Sequence, residues 1–146
     1  MIRVAVAMAI LAGCSSPEPD STRVVFVCKH GSAKSVVAAA LFNDLAAKRD
    51  LPWRAVARGI EPDAELAPVV VRGLAADGLV SPVPAPVPLT AEDRRSARVT
   101  FLGEGERDLG PRGETWSAIP PVSEDYAASR DAMRAEIDRL LGRLGG

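Results

Sequence analysis

One segment constrains the fold of this chain more than any other. Residues 23–28 (Arg-Val-Val-Phe-Val-Cys) form a continuous apolar run rich in valine, which is typical of a strand buried on both faces of a parallel sheet. A short polar loop, residues 29–35, follows directly. It leads into a helical pattern over residues 33–49, where apolar side chains recur every three or four positions. Buried strand, tight loop and helix predict the first unit of an α/β fold.

The rest of the sequence continues this alternation. Residues 81–88 carry four of the twelve prolines at every second position, so we expect an extended loop or a sheet edge there. The predicted class is α/β, a three-layer sandwich with a small, about four-stranded parallel sheet flanked by helices. The other predicted elements are strands over residues 53–58, 98–102 and 115–119, and helices over residues 68–76, from Thr90, and from a capping Ser123 onward.

The cysteine and histidine content limits the possible chemistry. Cys14, Cys28 and His30 are the only residues of these types, too few for a zinc cluster or a multi-disulfide scaffold. We therefore predict no metal and no other cofactor. A nucleophilic Cys/His arrangement would have to use His30 itself. The 18 basic and 19 acidic residues give a net charge of -1, which predicts no nucleic-acid partner.

The N-terminal segment resembles a bacterial lipoprotein signal. Arg3 precedes an uncharged apolar run too short to span a bilayer, and Leu-Ala-Gly precedes Cys14. In such signals the peptide is cut before the cysteine, whose thiol is lipidated. The resemblance implies a signal peptide over residues 1–13, a tether over residues 14–22, and a domain over residues 23–146. That domain would be lipid-anchored at the cell envelope, in the periplasm or on the outer face of the membrane. The alternative is an apolar first strand in which Cys14 has no role.

The loop after the first predicted strand has the features of an anion site. Backbone N–H groups converge at the start of the helix, and the helix dipole adds positive potential there. That field favours a thiolate, so Cys28 is a candidate nucleophile. A tetrahedral oxyanion would lie over the sulfur, held by the loop amides and the Lys34 ammonium, while Ser35 donates a hydrogen bond to the sulfur. Each residue alone also fits a structural role; their combination at one junction indicates a site.

The segment Cys-Lys-His-Gly-Ser-Ala-Lys-Ser, residues 28–35, resembles the Cys-x5-Arg-Ser/Thr loop of low-molecular-weight protein tyrosine phosphatases. It is also similar to the loop of the related thioredoxin- or mycothiol-coupled arsenate reductases. The resemblance implies a bound phosphate or arsenate oxyanion and phosphotyrosine as a substrate. Further similar segments are residues 38–42, 59–62, 74–78 and 88–93. The implied catalytic residues are Cys28, Lys34 and Ser35, and the implied substrate-binding residues are Lys29, His30, Gly31, Ser32 and Ala33.

Two positions depart from the family pattern. Lys34 stands where the family has an arginine, and lysine lacks the planar fork that binds two phosphoryl oxygens. Where the phosphatases have an Asp-Pro pair that protonates the leaving group, the chain has Pro120 and Pro121. Another carboxylate would have to act as the acid. The candidates are Glu104, Asp108, Glu124 and Asp125, although Asp125 also fits the first turn of the last helix.

Three functions remain open from the sequence. The first is phosphomonoester hydrolysis through a phosphocysteine at Cys28, slowed by the two departures. The second is non-catalytic binding of phosphate or arsenate by a lipoprotein. The third is arsenate reduction with an external thiol, because lipidation of Cys14 would leave Cys28 without a partner for a disulfide. The residues of the loop place the phosphatase first.

Overall fold

Strands and helices alternate along residues 22–145, the part of the chain that this computed structural model describes. The predicted signal peptide, and the predicted tether up to its last residue, lie outside the described residues. No helix within the described range is both long enough and apolar enough to cross a bilayer. The elements are β1 (Arg23–Cys28), α1 (Lys34–Lys48), β2 (Arg54–Gly59), α2 (Pro68–Asp77), α3 (Ala91–Ser96), β3 (Arg98–Leu102), β4 (Gly113–Trp116) and α4 (Tyr126–Gly145).

The four strands form one parallel sheet in the order β2-β1-β3-β4. The central strand β1 places Cys28 opposite Gly59 of β2 and Val27 opposite Phe101 of β3. Because the strands are parallel, their carboxyl ends meet at one edge of the sheet, where open α/β sheets bind ligands. Cys28 lies at that edge. The predicted α/β class with a small parallel sheet is confirmed.

Both faces of the sheet are covered, which explains why β1 is apolar and buried after Arg23. On one face α1, α2 and α4 enclose the larger core, in which the Phe26 ring lies 5.8 Å from Phe42 and 5.5 Å from Trp116. The opposite face carries a smaller apolar cluster, covered by Ala97 beside α3 and by Leu109 of the loop after β3. Burial on both faces is the environment that the continuous valine-rich run favours.

The proline-rich segment lies at the edge of the sheet, as predicted. The Gly59 N–H donates to the Val87 carbonyl at 2.8 Å, and the Leu89 N–H donates to the Gly59 carbonyl at 3.0 Å. These two bonds form one isolated parallel bridge, Gly59 opposite Pro88. Pairing stops there because proline has no N–H to donate to a longer ladder.

The predicted bounds of the fourth strand are wrong. That strand runs over Gly113–Trp116, not over residues 115–119. It pairs with β3 from Val99 opposite Gly113 to Leu102 opposite Trp116. Since β3 ends at Leu102, residues beyond Trp116 have no neighbouring strand to pair with, and the chain leaves the sheet.

The predicted cap of the last helix is also wrong. α4 begins at Tyr126, and Asp125 precedes it with its Oδ1 accepting from the Ala128 N–H at 2.9 Å. Ser123 lies too early because the Pro121 carbonyl first accepts from the N–H groups of Glu124 and Asp125. That turn delays the helix, and the carboxylate of Asp125 then satisfies a free amide of its first turn.

Candidate active site

The Cys28 side chain lies at the carboxyl end of β1, directly below the start of α1. Its Sγ is 3.2 Å from the Oγ of Ser35, which is fully buried in the first turn of α1, and Cys28 itself is 7% exposed. A thiol donates this hydrogen bond to the hydroxyl oxygen. When the sulfur is a thiolate, the direction reverses and the Ser35 hydroxyl donates to it. The pair that the sequence predicts is therefore in contact.

Residues 60–67 form hydrogen bonds with the carbonyl groups of the loop after β1. Amide N–H groups of that segment donate to four loop carbonyls at 2.8–3.1 Å; the pairs are Ile60 to Cys28, Glu61 to Lys29, Asp63 to His30 and Ala67 to Ser32. The N–H groups of residues 29–35 donate no hydrogen bond to any of residues 22–145. These amides are thus available to an oxyanion, which is the arrangement of an anion-binding loop.

A cavity of about 360 Å³ opens over Cys28. Lys29, His30, Ser32, Ala33 and Lys34, all predicted from the sequence, line it together with Cys28. Two further predicted residues do not line it: Ser35 lies behind the sulfur, and Gly31 packs against Gly59. The remaining lining residues are Ala67, Val69, Phe101, Leu102, Gly103, Glu104, Arg107, Pro121, Val122 and Ser123.

Positive charge at the cavity comes first from Lys34. Its half-buried side chain forms no ion pair and no hydrogen bond with any residue in the described range. The preceding Ala33 has no side chain that could cap α1, and the amides of Lys34 and Ser35 have no acceptor in the described chain. An anion over Cys28 would meet the free ammonium, the free amides and the positive end of the helix dipole together.

Asp63 holds one side of the loop, and sequence reasoning did not single it out as a site residue. Its Oδ2 accepts from the Ser32 hydroxyl at 2.7 Å, and its Oδ1 lies 3.5 Å from Nδ1 of His30. The same His30 nitrogen is 3.3 Å from the Glu61 carbonyl oxygen. Two predicted loop residues are therefore positioned by a carboxylate from the segment after β2. Asp63 directly follows Glu61 and Pro62 in the chain, and this position was the one sequence signal for its role.

Of the four carboxylates proposed as the acid, only Glu104 lines the cavity. The Asp108 carboxylate accepts from the Gly110 N–H at 3.0 Å, and Asp125 caps α4. Glu124 is exposed and is not among the residues around the cavity. Pro121 does line it, so an apolar ring lies beside the position where the phosphatases have their aspartate.

Arg107 is a site residue that the sequence analysis missed. It lines the cavity from the loop after β3, with its guanidinium carbon 4.8 Å from the centroid of the Phe101 ring. A single arginine in a charged, glycine-containing loop belongs to no motif whose spacing would identify it as a site residue. Across residues 22–145 no group of three or more His, Cys, Asp and Glu side chains is placed to hold a metal ion.

Several solved structures have this fold. No protein-family model matches the sequence, and no curated protein matches it. A YwlE mutant from Bacillus subtilis superposes with a TM-score of 0.76 at 19% identity, covering 86% of this chain and 100% of that one. An arsenate reductase from Archaeoglobus fulgidus gives 0.65 at 25% identity, covering 82% and 98%. A low-molecular-weight protein tyrosine phosphatase from T. tengcongensis gives 0.72 at 19% identity, covering 84% and 99%.

These neighbours show which fold the chain has. The chain has the fold that the low-molecular-weight protein tyrosine phosphatase and the arsenate reductase in this comparison share. The resemblance identified from residues 28–35 is confirmed at the level of the fold. The chain carries Lys34 and Pro120-Pro121 where the phosphatase pattern has arginine and Asp-Pro.

Proposed function

We propose that this protein is a phosphatase of the low-molecular-weight type that hydrolyses phosphomonoesters through a phosphocysteine at Cys28. One observation carries the proposal: the Cys28 sulfur, in contact with Ser35, lies under a cavity whose loop amides and Lys34 ammonium have no acceptor in the described chain. Such an arrangement binds a tetrahedral dianion over a nucleophile.

Binding places the phosphoryl group between the loop and the helix start. Its non-bridging oxygens accept hydrogen bonds from the amides of residues 29–35 and from Lys34. The ester substituent extends along the apolar side of the cavity, formed by Ala67, Val69 and Val122. This geometry aligns the phosphorus with the sulfur and turns the attack into a step within one complex.

In the first chemical step the Cys28 thiolate attacks phosphorus. The S–P bond forms as the P–O bond to the leaving group breaks, and the leaving oxygen takes a proton from the carboxylic acid of Glu104. Glu104 is assigned this role because it is the candidate carboxylate that lines the cavity. The loop amides stabilise the charge that spreads over the three remaining phosphoryl oxygens.

In the second step water attacks the phosphorus of the phosphocysteine. The S–P bond breaks, its electron pair returns to sulfur, and the proton of the water passes to the Glu104 carboxylate. The Ser35 hydroxyl, 3.2 Å from Sγ, donates to the thiolate that leaves. Inorganic phosphate then dissociates and restores the starting state of both residues.

Lys34 sets the expected rate. Its ammonium neutralises charge as a point, whereas the arginine of the family binds two oxygens through a planar fork. Ground-state binding is therefore retained better than transition-state stabilisation, and we expect slow turnover.

Non-catalytic oxyanion binding is the second candidate function. The observation that favours it is Pro121 at the cavity, beside the place of the missing aspartate. Arsenate reduction would need an external thiol, because within residues 22–145 Cys28 has no second cysteine with which it could form a disulfide.

The deciding experiment is hydrolysis of an aryl phosphate by the wild-type chain and by the Cys28→Ser and Lys34→Arg variants. We expect turnover that disappears in Cys28→Ser and rises about tenfold in kcat/KM in Lys34→Arg. Calorimetric titration with phosphate is run in parallel. Saturable phosphate binding without turnover above Cys28→Ser, in both the wild-type chain and Lys34→Arg, would favour the binding function instead.

We also propose that the protein is anchored at the cell envelope through a lipid on Cys14. The support is the order of Arg3, apolar run, small residues and cysteine in the sequence. Expression in a bacterial host and mass analysis of the N-terminal peptide test this. A diacylglyceryl group on Cys14, with the chain in the membrane fraction and a Cys14→Ala variant absent from it, is expected; an unmodified Cys14 in the mature chain would refute it.

A further inference from the structure

We propose that Arg107 is a second oxyanion-binding residue of this site and supplies the planar guanidinium that the loop itself lacks. The inference rests on the proposed function, since it concerns the same cavity. It assigns to the loop after β3 a part of the anion binding that the sequence pattern places in the loop after β1 alone.

The position of Arg107 follows from the register of the sheet. Phe101 of β3 lies opposite Val27, the residue before Cys28, so the ends of the two strands are neighbours. The guanidinium carbon of Arg107 lies 4.8 Å from the centroid of the Phe101 ring, and Arg107, Phe101, Cys28 and Lys34 all line one cavity. The guanidinium of Arg107, from the loop after β3, and the ammonium of Lys34, from α1, thus line the same cavity.

The charge of Arg107 is not neutralised within residues 22–145. It forms no ion pair there and donates no hydrogen bond to another of these residues. The other arginines around this loop are engaged: Arg94 donates to the Asp108 carbonyl at 2.9 Å, and Arg95 pairs with Glu92 at 2.6 Å. Arg112 donates to the Ser96 carbonyl. Arg107 differs from these three in having its donors free.

The contact with Phe101 prepares the guanidinium without consuming its donors. Stacking on an aromatic ring uses the face of the guanidinium plane, while its N–H groups stay at the edge. Phe101 is only 2% exposed and therefore provides a fixed platform. A guanidinium of restricted orientation loses less entropy when it forms two parallel hydrogen bonds to a phosphate.

Titration of inorganic phosphate into the full chain carrying Cys28→Ser tests the inference without turnover. Arg107→Met should weaken phosphate binding about tenfold or more, because two charge-assisted hydrogen bonds are lost. Arg107→Lys should recover only a minor part of that loss, since it restores the charge but not the fork. The matched control is Arg95→Met, which removes the same charge from α3 outside the cavity and should change the affinity less than twofold.

The outcomes separate this inference from the proposed function. Equal phosphate affinity in Arg107→Met and the parent, an equal loss in Arg95→Met, or no phosphate binding by the parent would each overturn the role of Arg107. Urea unfolding of each variant verifies that it is folded. If the wild-type chain turns over aryl phosphates without any dependence on Arg107, the phosphatase proposal survives and this inference does not. If phosphate binding depends on Arg107 but the wild-type chain shows no turnover, the inference about Arg107 survives and the phosphatase proposal does not.

Discussion

Gly31 and Gly59 are packed backbone against backbone where the loop after β1 meets the end of β2. A Cβ on Gly31 would lie 2.8 Å from the Gly59 nitrogen, and a Cβ on Gly59 would lie 2.7 Å from the Gly31 nitrogen. Gly31 also has a positive φ of 62°, which favours glycine. Because Gly59 is the register partner of Cys28, this contact sets how closely the loop lies over the sheet edge.

We expect Gly31→Ala to lower the free energy of urea unfolding by about 2–3 kcal/mol, since the methyl group adds a backbone clash to the strain of the positive φ. Phosphate affinity should fall as well. Gly78→Ala is the matched control, because Gly78 has a similar φ of 68° but open space where its Cβ would lie. It should cost about 1 kcal/mol and leave phosphate binding unchanged. Equal costs for the two variants would mean that the glycine contact does not position the loop.

The contact between Ser35 and the Cys28 sulfur can be tested against a second fully buried serine, Ser129, as a control. Ser35→Ala should lower kcat about tenfold, because the thiolate released from phosphocysteine loses its hydrogen-bond donor. Ser129 in α4 is equally buried, and its Oγ has no hydrogen-bond partner in the described chain. Ser129→Ala should therefore leave kcat unchanged and leave the unfolding free energy unchanged or higher. Steady-state kinetics and urea unfolding measure both effects; unchanged kcat in Ser35→Ala would remove Ser35 from the mechanism.

The assignment of Glu104 as the acid predicts a dependence on the leaving group. Glu104→Gln should reduce kcat about 100-fold for phenyl phosphate, and much less for 4-nitrophenyl phosphate, whose phenolate leaves without a proton. Glu106→Gln makes the same charge change two residues away, on a residue that does not line the cavity over Cys28. It should have little effect on either substrate. A Glu104→Gln effect that is equal for both leaving groups would contradict the assignment.

The buried carboxylate of Asp93 predicts how stability depends on pH. Its Oδ1 lies 2.8 Å from Arg23 Nη1, and its Oδ2 lies 3.0 Å from Arg58 Nε and accepts from the Thr90 N–H. Burial raises the pKa of the carboxyl, but the Thr90 hydrogen bond and the guanidinium groups of Arg58 and Arg23 outweigh it, so the pKa lies below its ordinary value of 3.8. The stabilisation is present above that value and is lost as the pH falls through the lower pKa of the folded state.

Asp93→Asn should therefore lower the unfolding free energy at pH 7 by about 3 kcal/mol, since it leaves the partly buried guanidinium groups of Arg23 and Arg58 without their charge partner. Between pH 5 and the acid transition, the stability of this variant should depend less on pH than that of the wild-type chain. Asp131→Asn, which disrupts an exposed pair with Arg130, should change little. Urea unfolding at a series of pH values measures these effects, and parallel pH curves for Asp93→Asn and the wild-type chain would contradict the account.

Local patterns in the sequence suffice for β1, the loop and α1, because burial of the strand, the loop residues and the helical period lie within one continuous stretch. β4 ends at Trp116 because its partner there, Leu102, is the last residue of β3. The end of β4 is thus set by a different segment of the chain. The cap at Asp125 depends on the turn that Pro121 initiates. Arg107 joins the cavity only because its loop folds back over Phe101. These contacts are tertiary and have no local signal.

The central claim is that Cys28 accepts the phosphoryl group. The measurement that tests it most directly is a rapid denaturing quench of the wild-type chain during turnover of an aryl phosphate, followed by peptide mass spectrometry. We predict one added phosphoryl group on the Cys28 peptide, formed at the rate of the initial release of phenol, and none in Cys28→Ala. Turnover without a phosphoryl group on Cys28 would contradict this mechanism.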